Sequence, residues 1–281
     1  MIKIYSTVYI KPNFIELQYE QLKKYCKDDF KFIIINNGVD ANTFQEIMNM
    51  CEKHNLTYLN VLSKRKNIPE YSSNSHSVAL EYTLVNYIKK DTDIVDINVI
   101  MDSDIFAYKE FSFIDIMNDN KLAGIYQERY GHTYIAAIFM LFDGNLDLSN
   151  FSFHSGIGDT GAAVQTLMKD FNIIPEWINH TAAIDIESEY IFPVKTKYPY
   201  MDKYKCQFIA DAFIHYYRGS NWDNNDISYH KEKLEFIKYF LNNNKEYNIN
   251  LDGNVNYPFA HAEKSYNGID YNYNNYKYNI K

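Results

Sequence analysis

The stretch VIMDSDIF at residues 99–106 is the most informative part of this chain of 281 residues. An apolar run leads directly into two carboxylates one residue apart, Asp102 and Asp104, and apolar residues resume at once. Strand alternation predicts that both side chains point the same way. At the C-terminal edge of a central parallel strand, they would face a ligand crevice. Two close carboxylates repel, and a hard cation such as Mg²⁺ or Mn²⁺ relieves the repulsion. The pair is therefore predicted to hold such an ion against a diphosphate.

Outward from this stretch, the first half of the chain alternates between strand and helix patterns. Strands are predicted at 3–10, 30–35, 57–62 and 95–101, and helices at 14–26, 44–54 and 78–88. This alternation indicates an α/β fold, with a mostly parallel sheet and helices on both faces. Right-handed crossovers would place the turn Asn36-Asn37-Gly38 at the same sheet edge as Asp102 and Asp104.

The second half of the chain has a mixed pattern. Strands are predicted at 122–127, 136–142 and 208–217, and helices at 160–170 and 231–241. Beyond residue 251 the sequence is rich in Asn and Tyr and has little periodic core. We therefore expect one domain over residues 1–250 and a C-terminal tail over 251–281.

Composition narrows the classes of function. The net charge of −8 argues against non-specific nucleic-acid binding, which needs a basic face. The three cysteines have no metal-type spacing, so we expect a reducing compartment without a disulfide framework. No signal-peptide pattern or apolar run near the ~20 residues of a membrane span is present, which predicts a soluble cytoplasmic protein. The 27 tyrosines, with abundant Asn, Ile and Lys, favour an AT-rich genome, for example a large DNA virus, over a sugar-binding surface.

Five landmarks in order resemble the GT-A fold of nucleotide-sugar glycosyltransferases. They are a short first strand, Asn36-Asn37-Gly38, Asp102-Ser103-Asp104, the turn Gly158-Asp159-Thr160-Gly161, and a strand with His215 followed by Arg218-Gly219-Ser220-Asn221-Trp222. Across residues 1–225 the chain is most similar to glycosyltransferase family 2 and its viral relatives. The resemblance implies a Rossmann-like, mostly parallel sheet with mixed strands in the C-terminal half. It also implies sugar transfer from a nucleotide-diphospho-sugar, UDP- or GDP-linked, to a hydroxyl of a glycan or glycoprotein, with inversion.

The chain departs from the family pattern at three points. Asn36 stands where the family usually has an Asp, which leaves the choice of nucleotide open. Asp159 lacks the preceding Glu that is common in the family. No apolar membrane-association segment follows the landmarks, which argues against a processive membrane synthase.

The resemblance assigns a metal site to Asp102, Asp104 and His215, with Mn²⁺ or Mg²⁺ as the ion. Asp104 would be the direct ligand, and Asp102 would reach the ribose or a metal-bound water. His215 lies in an apolar strand, where the alternative is a core histidine bonded to a backbone carbonyl. Asp159 is the candidate general base, although a plain helix N-cap explains it equally well.

Donor contacts are predicted at several further positions. The full set is Asn36, Asn37, His76, Asp102, Ser103, Arg218, Ser220, Asn221 and Trp222. Alternatives remain for each kind of residue: a good turn sequence for the asparagines, a solvated strand end for the arginine and ordinary packing for the tryptophan.

Two other functions compete with transfer. A sugar-nucleotidyltransferase also uses carboxylates with Mg²⁺, but it normally has a Gly-rich loop after the first strand, where this chain has Ile10-Lys11-Pro12-Asn13. A non-catalytic glycan-binding protein on the same fold is the other alternative.

Overall fold

The computed structural model has a mixed α/β architecture. It describes residues 1–61, 72–129, 132–153, 160–164, 168–169, 172–180, 206–217, 219 and 227–243. The strands are β1 (Ile2–Val8), β2 (Phe30–Asn36), β3 (Thr57–Asn60), β4 (Ile97–Asp102), β5 (Ile105–Ala107), β6 (Leu122–Arg129), β7 (His132–Asp143), β8 (Glu176–Trp177), β9 (Gln207–Ile209) and β10 (Phe213–His215). The helices are α1 (Asn13–Tyr25), α2 (Ala41–Lys53), α3 (Ser72–Asn86), α4 (Phe113–Met117) and α5 (Ile227–Asn243), with a 3-10 turn at Ile88–Lys90.

Seven strands form the central sheet in the order β3-β2-β1-β4-β7-β6-β8. The first four strands in this order are parallel to one another, and β7 runs antiparallel to both β4 and β6. Within the parallel part, Thr7 pairs with Asp102 and Val8 pairs with Asn36. The ends of β1, β2 and β4 therefore lie at one edge, which confirms the predicted mostly parallel sheet.

Helices cover both faces of this sheet because the strands are apolar on both sides. On one face, Ile4 and Val99 pack with Ile15 of α1, Ile47 of α2 and Phe113 of α4. On the other face, the strand residues Tyr5, Ile35 and Ile100 pack with α3 through Ala79, Leu80 and Leu84. Residues buried on both faces are typical of a parallel sheet between two layers of helices.

A second, three-stranded antiparallel sheet has the order β5-β10-β9. Phe106 and Ile214 from this sheet are buried together with Phe14 of α1 and with Ile237 and Phe240 of α5. This small sheet therefore holds β10, which carries His215, against the segment that follows β4.

Two predictions about local structure are wrong. Residues 208–217 form the hairpin β9–β10 and not a single strand, because Ala210 and Asp211 turn the chain with positive φ angles of 52° and 51°. Asp102 and Asp104 also do not alternate along one strand. The first strand ends at Asp102, and Asp104 lies in the turn before β5, which belongs to the other sheet.

Parts of the predicted C-terminal region lie outside the described residues. Residues 160–163 form turns, and helical structure is described at residues 164 and 168–169 within the expected helix 160–170. The tail over 251–281 is also outside, so the domain boundary stays a prediction. Among the described residues, no helix is both long and apolar enough to cross a membrane.

Candidate metal and donor site

Asp102, Asp104 and His215 come together where the two sheets meet. One ligand atom from each lies within 4.8 Å of the other two. Oxygen and nitrogen ligands of a single ion lie about 2.0–2.2 Å from it, so they are up to about 4.4 Å apart. Small movements of these side chains would therefore let them hold one divalent ion. The set of two carboxylates and one imidazole suits Mn²⁺ or Mg²⁺.

Asp104 is the most enclosed member of the cluster. Its side chain is buried, Oδ2 accepts a hydrogen bond of 2.8 Å from the amide of Gly219, and Oδ1 lies 3.2 Å from Nε2 of His215. Burial alone would raise the pKa of this carboxyl. The charge and hydrogen bond of His215, the Gly219 amide and the charge of Lys233 outweigh burial and hold the pKa below its usual value. The group is thus kept ionised, as a metal ligand must be.

His215 lies on β10 directly beside Asp104. Its Nδ1 is 3.0 Å from Oε1 of Gln207, while Nε2 faces the carboxylate. A metal-binding histidine commonly donates its other ring N–H to a fixed acceptor, which sets the direction of the ligating nitrogen. This arrangement gives His215 the partner expected of a ligand, whereas the sequence left a core histidine open as an alternative.

Asp102 is held at the end of β4 through both its side chain and its backbone. Oδ1 lies 3.3 Å from Nε2 of His76, the α3 residue predicted to contact the donor. The backbone carbonyl accepts a 2.8 Å hydrogen bond from the fully buried Gln18, whose amide also donates to the carbonyl of Ile105. Ser6 donates to the other end of that amide. These bonds therefore hold in place the turn between β4 and β5, which contains Ser103.

The Asn36-Asn37-Gly38 turn lies at the end of the neighbouring strand β2. The side chain of Asn36 donates to the carbonyl of Phe44 and to Asn60, and it accepts from the amide of Gly38. These bonds stabilise the turn itself, so a donor contact by Asn36 stays a prediction. Asn37 donates to Ser75, which connects the turn to the start of α3 beside His76.

Lys233 of α5 supports the site by binding the backbone that follows His215. Its ammonium group is buried and donates to the backbone carbonyls of Tyr216 and Tyr217, the two residues after His215. The amide of Tyr216 in turn donates to the carbonyl of Asp104. The lysine therefore ties the helix to the segment that leads to Gly219.

Several predicted residues lie outside the described part of the chain. They are Asp159, Arg218, Ser220, Asn221 and Trp222. Their roles stay predictions. Conversely, sequence patterns assigned no role to Gln18, Gln207, Gly219 or Lys233, although Gly219 lies within a landmark, because each acts through a partner that is distant in sequence or lies on another strand.

Comparison with known proteins gives structural matches only. No protein-family model matches the chain, and no curated protein matches it either. Among solved structures, a mannosyltransferase from Pyrobaculum calidifontis in complex with GDP-Man and Mn²⁺ is 11% identical, with a TM-score of 0.42, and the match covers 63% of this chain and 54% of that one. The galactosyltransferase LgtC, with donor and acceptor sugar analogues, is 11% identical with a TM-score of 0.36, and the match covers 50% and 58%.

A third match is the bifunctional glycosyltransferase WbbM, at 9% identity and a TM-score of 0.32, covering 51% of this chain and 31% of that one. The chain therefore spans less than two thirds of each of these structures. At such TM-scores the matches assign no function, and the class of this protein rests on its own sheet and site. These define an α/β protein with a candidate divalent-metal cluster at the end of its parallel strands.

Proposed function

We propose that this chain is a metal-dependent glycosyltransferase of the GT-A fold. It would transfer a sugar from a nucleotide-diphospho-sugar, UDP- or GDP-linked, to a hydroxyl group of a glycan or glycoprotein. The observation that carries this proposal is the cluster of Asp102, Asp104 and His215 at the C-terminal edge of the parallel strands. Ligands of open α/β sheets bind in the crevice at this edge.

The cluster suits the electrostatics of the reaction. Glycosyl transfer leaves negative charge on a departing nucleoside diphosphate, and a bound Mn²⁺ or Mg²⁺ would stabilise that charge as a Lewis acid. Asp104 and His215 would hold the ion, and Asp102, which is half-buried, would reach the ion or the ribose. Arg218 follows His215 by three residues and would pair with the diphosphate.

The general base is proposed from sequence position. Asp159 precedes the turns at residues 160–163 and would take the proton of the acceptor hydroxyl in an inverting displacement. Replacing it with Asn removes the basic oxygen but keeps the shape. Asp159→Asn is therefore expected to lose transfer and to keep donor binding, and transfer at the normal rate would place the base elsewhere.

A direct test follows the release of UDP or GDP from a panel of UDP- and GDP-sugars with Mn²⁺ and simple glycan acceptors. The full chain should release the nucleoside diphosphate, Asp104→Ala should not, and EDTA should abolish release. Asp147→Ala is the matched control, because Asp147 is exposed and caps only a local turn. Formation of pyrophosphate from a sugar phosphate and a nucleoside triphosphate would instead favour the nucleotidyltransferase and overturn the proposal.

A further inference from the structure

Three buried side chains form a hydrogen-bonded row that starts at the metal cluster and leads away from it. Nδ1 of His215 lies 3.0 Å from Oε1 of Gln207, and Nε2 of Gln207 lies 2.8 Å from Nδ1 of His180. These residues are 5%, 2% and 1% exposed, in that order along the row. Water therefore does not compete for these bonds, and the orientation of the Gln207 amide decides which histidine donates to it and which accepts from it.

The amide of Gln207 has one end that only accepts and one end that only donates. Its oxygen faces His215 and accepts from Nδ1–H, which leaves Nε2 as the nitrogen directed at Asp104 and available to a cation placed between the two side chains. Its NH₂ group faces His180, whose Nδ1 therefore accepts. Rotation of the amide by half a turn would reverse both bonds. It would leave the proton of a neutral His215 on Nε2, where it blocks ligation.

The backbone keeps this row in place. Gln207 and His215 are directly paired between β9 and β10. His180 forms an isolated antiparallel bridge with Ile209, and the amide of Ala210 donates to the carbonyl of Asn179 at 2.8 Å. Each member of the row therefore lies on a segment that is hydrogen-bonded to the next, and the spacing does not depend on the side chains alone.

We propose that Gln207 and His180 are positioning residues that hold His215 in the form able to ligate a divalent cation through Nε2. His180 would act by keeping the Gln207 amide in its orientation, and Gln207 would act by keeping the proton on Nδ1. This inference rests on the metal site of the proposed function, although it does not depend on which sugar or nucleotide is bound.

The test compares the affinities of purified full-length variants for Mn²⁺ alone, measured by titration calorimetry. Gln207→Leu removes the acceptor and should weaken Mn²⁺ binding about 10- to 100-fold, the usual effect of losing such a partner. Gln207→Glu retains an acceptor toward His215 and should bind within a few-fold of the wild type. Gln21→Leu is the matched control, since Gln21 is buried in α1 outside the site and should leave the affinity unchanged.

A second readout locates the proton itself. With diamagnetic Cd²⁺ bound, long-range ¹H–¹⁵N spectra should show a protected Nδ1–H for His215 in the wild type and in Gln207→Glu, but not in Gln207→Leu. Assignment comes from His215→Ala, which lacks the signal. Should Gln207→Leu fail to fold, His180→Leu frees the amide to rotate and is expected to weaken Mn²⁺ binding several-fold.

The outcomes separate the two proposals. Equal Mn²⁺ affinity in the wild type and Gln207→Leu, or in His180→Leu where that variant replaces it, would overturn the positioning role and leave the glycosyltransferase proposal intact. Mn²⁺ binding that follows the expected order, without any binding of nucleotide-sugars, would support the positioning role and contradict the transferase. A wild-type chain that binds no divalent ion would overturn both.

Discussion

Gly219→Ala tests how closely the backbone after β10 must approach Asp104. The amide of Gly219 donates to Oδ2 of Asp104, and a Cβ added to Gly219 would lie 2.5 Å from that oxygen and 2.6 Å from Cβ of Asp104. Non-bonded carbon atoms normally stay about 3.5–4.0 Å apart. The aspartate and the segment that carries Gly219 must therefore separate by about 1 Å in the variant.

Two costs follow from that separation. Crowding of this kind destabilises a fold by about 1–3 kcal/mol. A hydrogen bond to a charged group contributes about 1.5–3 kcal/mol, and its loss at a metal ligand corresponds to about 10- to 100-fold weaker Mn²⁺ binding, since about 1.4 kcal/mol is tenfold. We therefore expect Gly219→Ala to have a lower free energy of unfolding and a much lower affinity for Mn²⁺.

Calorimetric titration with Mn²⁺ and urea unfolding of the same variant measure the two effects. Gly124→Ala in β6 is the matched control, because its added Cβ would be 2.2 Å from a side-chain carbon of Ile135, away from the metal cluster. The control should lose stability and keep its affinity for Mn²⁺. A Gly219→Ala variant that binds Mn²⁺ as tightly as the wild type would refute the role given to this amide.

Three further predictions concern the described framework. Gln18→Leu leaves one buried carbonyl, one part-buried carbonyl and one hydroxyl without their partner, so urea unfolding should show a loss of about 2–5 kcal/mol; a loss below 1 kcal/mol would contradict this. Burial lowers the pKa of Lys3, but its two aspartate partners outweigh that and raise it above the usual value. The stability that these two ion pairs add is thus present below about pH 10.4 and is lost as pH rises through the raised pKa. Urea unfolding at high pH should show a smaller loss of stability in Lys3→Met than in the wild type. Burial raises the pKa of Cys51 to about 12 and of Cys206 to about 11, so a thiol reagent at pH 8 should label both only on unfolding. Fast labelling at either of these two positions in the native chain, located by peptide mass spectrometry to separate it from the half-buried Cys26, would contradict their burial.

The parallel half of the fold could be predicted because its signals are local. Residues 32–35 are apolar throughout, and this part of β2 is accordingly buried on both faces. Helices α1 and α2 have the apolar spacing that their packing requires. The convergence of Asn36 and Asp102 at one edge then follows from the geometry of parallel strands.

The small sheet could not be predicted because its elements are too short to show a period. Strands β5, β9 and β10 have three residues each. The turn between β9 and β10 places Ala210 and Asp211 at positive φ without a glycine, so no turn signal marks it. The expectation that Asp102 and Asp104 alternate along one strand was wrong, because β4 ends at Asp102 and the short strand β5 begins only after Asp104. Both side chains still reach the cluster.

The three members of the cluster could be predicted to lie together, but the residues that support them could not. Asp102, Asp104 and His215 have the right chemistry and strand context, and they lie together as expected. Gln18 and Gly219 bond to them across 84 and 115 residues of sequence, and no local pattern encodes such pairs. The support from Gln207 likewise depends on the register of two short strands.

The most direct measurement of the central claim is a thermal-shift screen against UDP-, GDP-, CMP- and dTDP-sugars, each with Mn²⁺ and with EDTA. Ligand at 100 times its Kd stabilises a protein by about 2.7 kcal/mol, which corresponds to a rise of about 5–10 °C in Tm. We expect this rise with Mn²⁺ and one nucleotide-sugar together, and no rise with EDTA or in Asp104→Asn. A rise that persists with EDTA, or no rise with any nucleotide-sugar, would contradict a metal-dependent donor site at Asp102, Asp104 and His215.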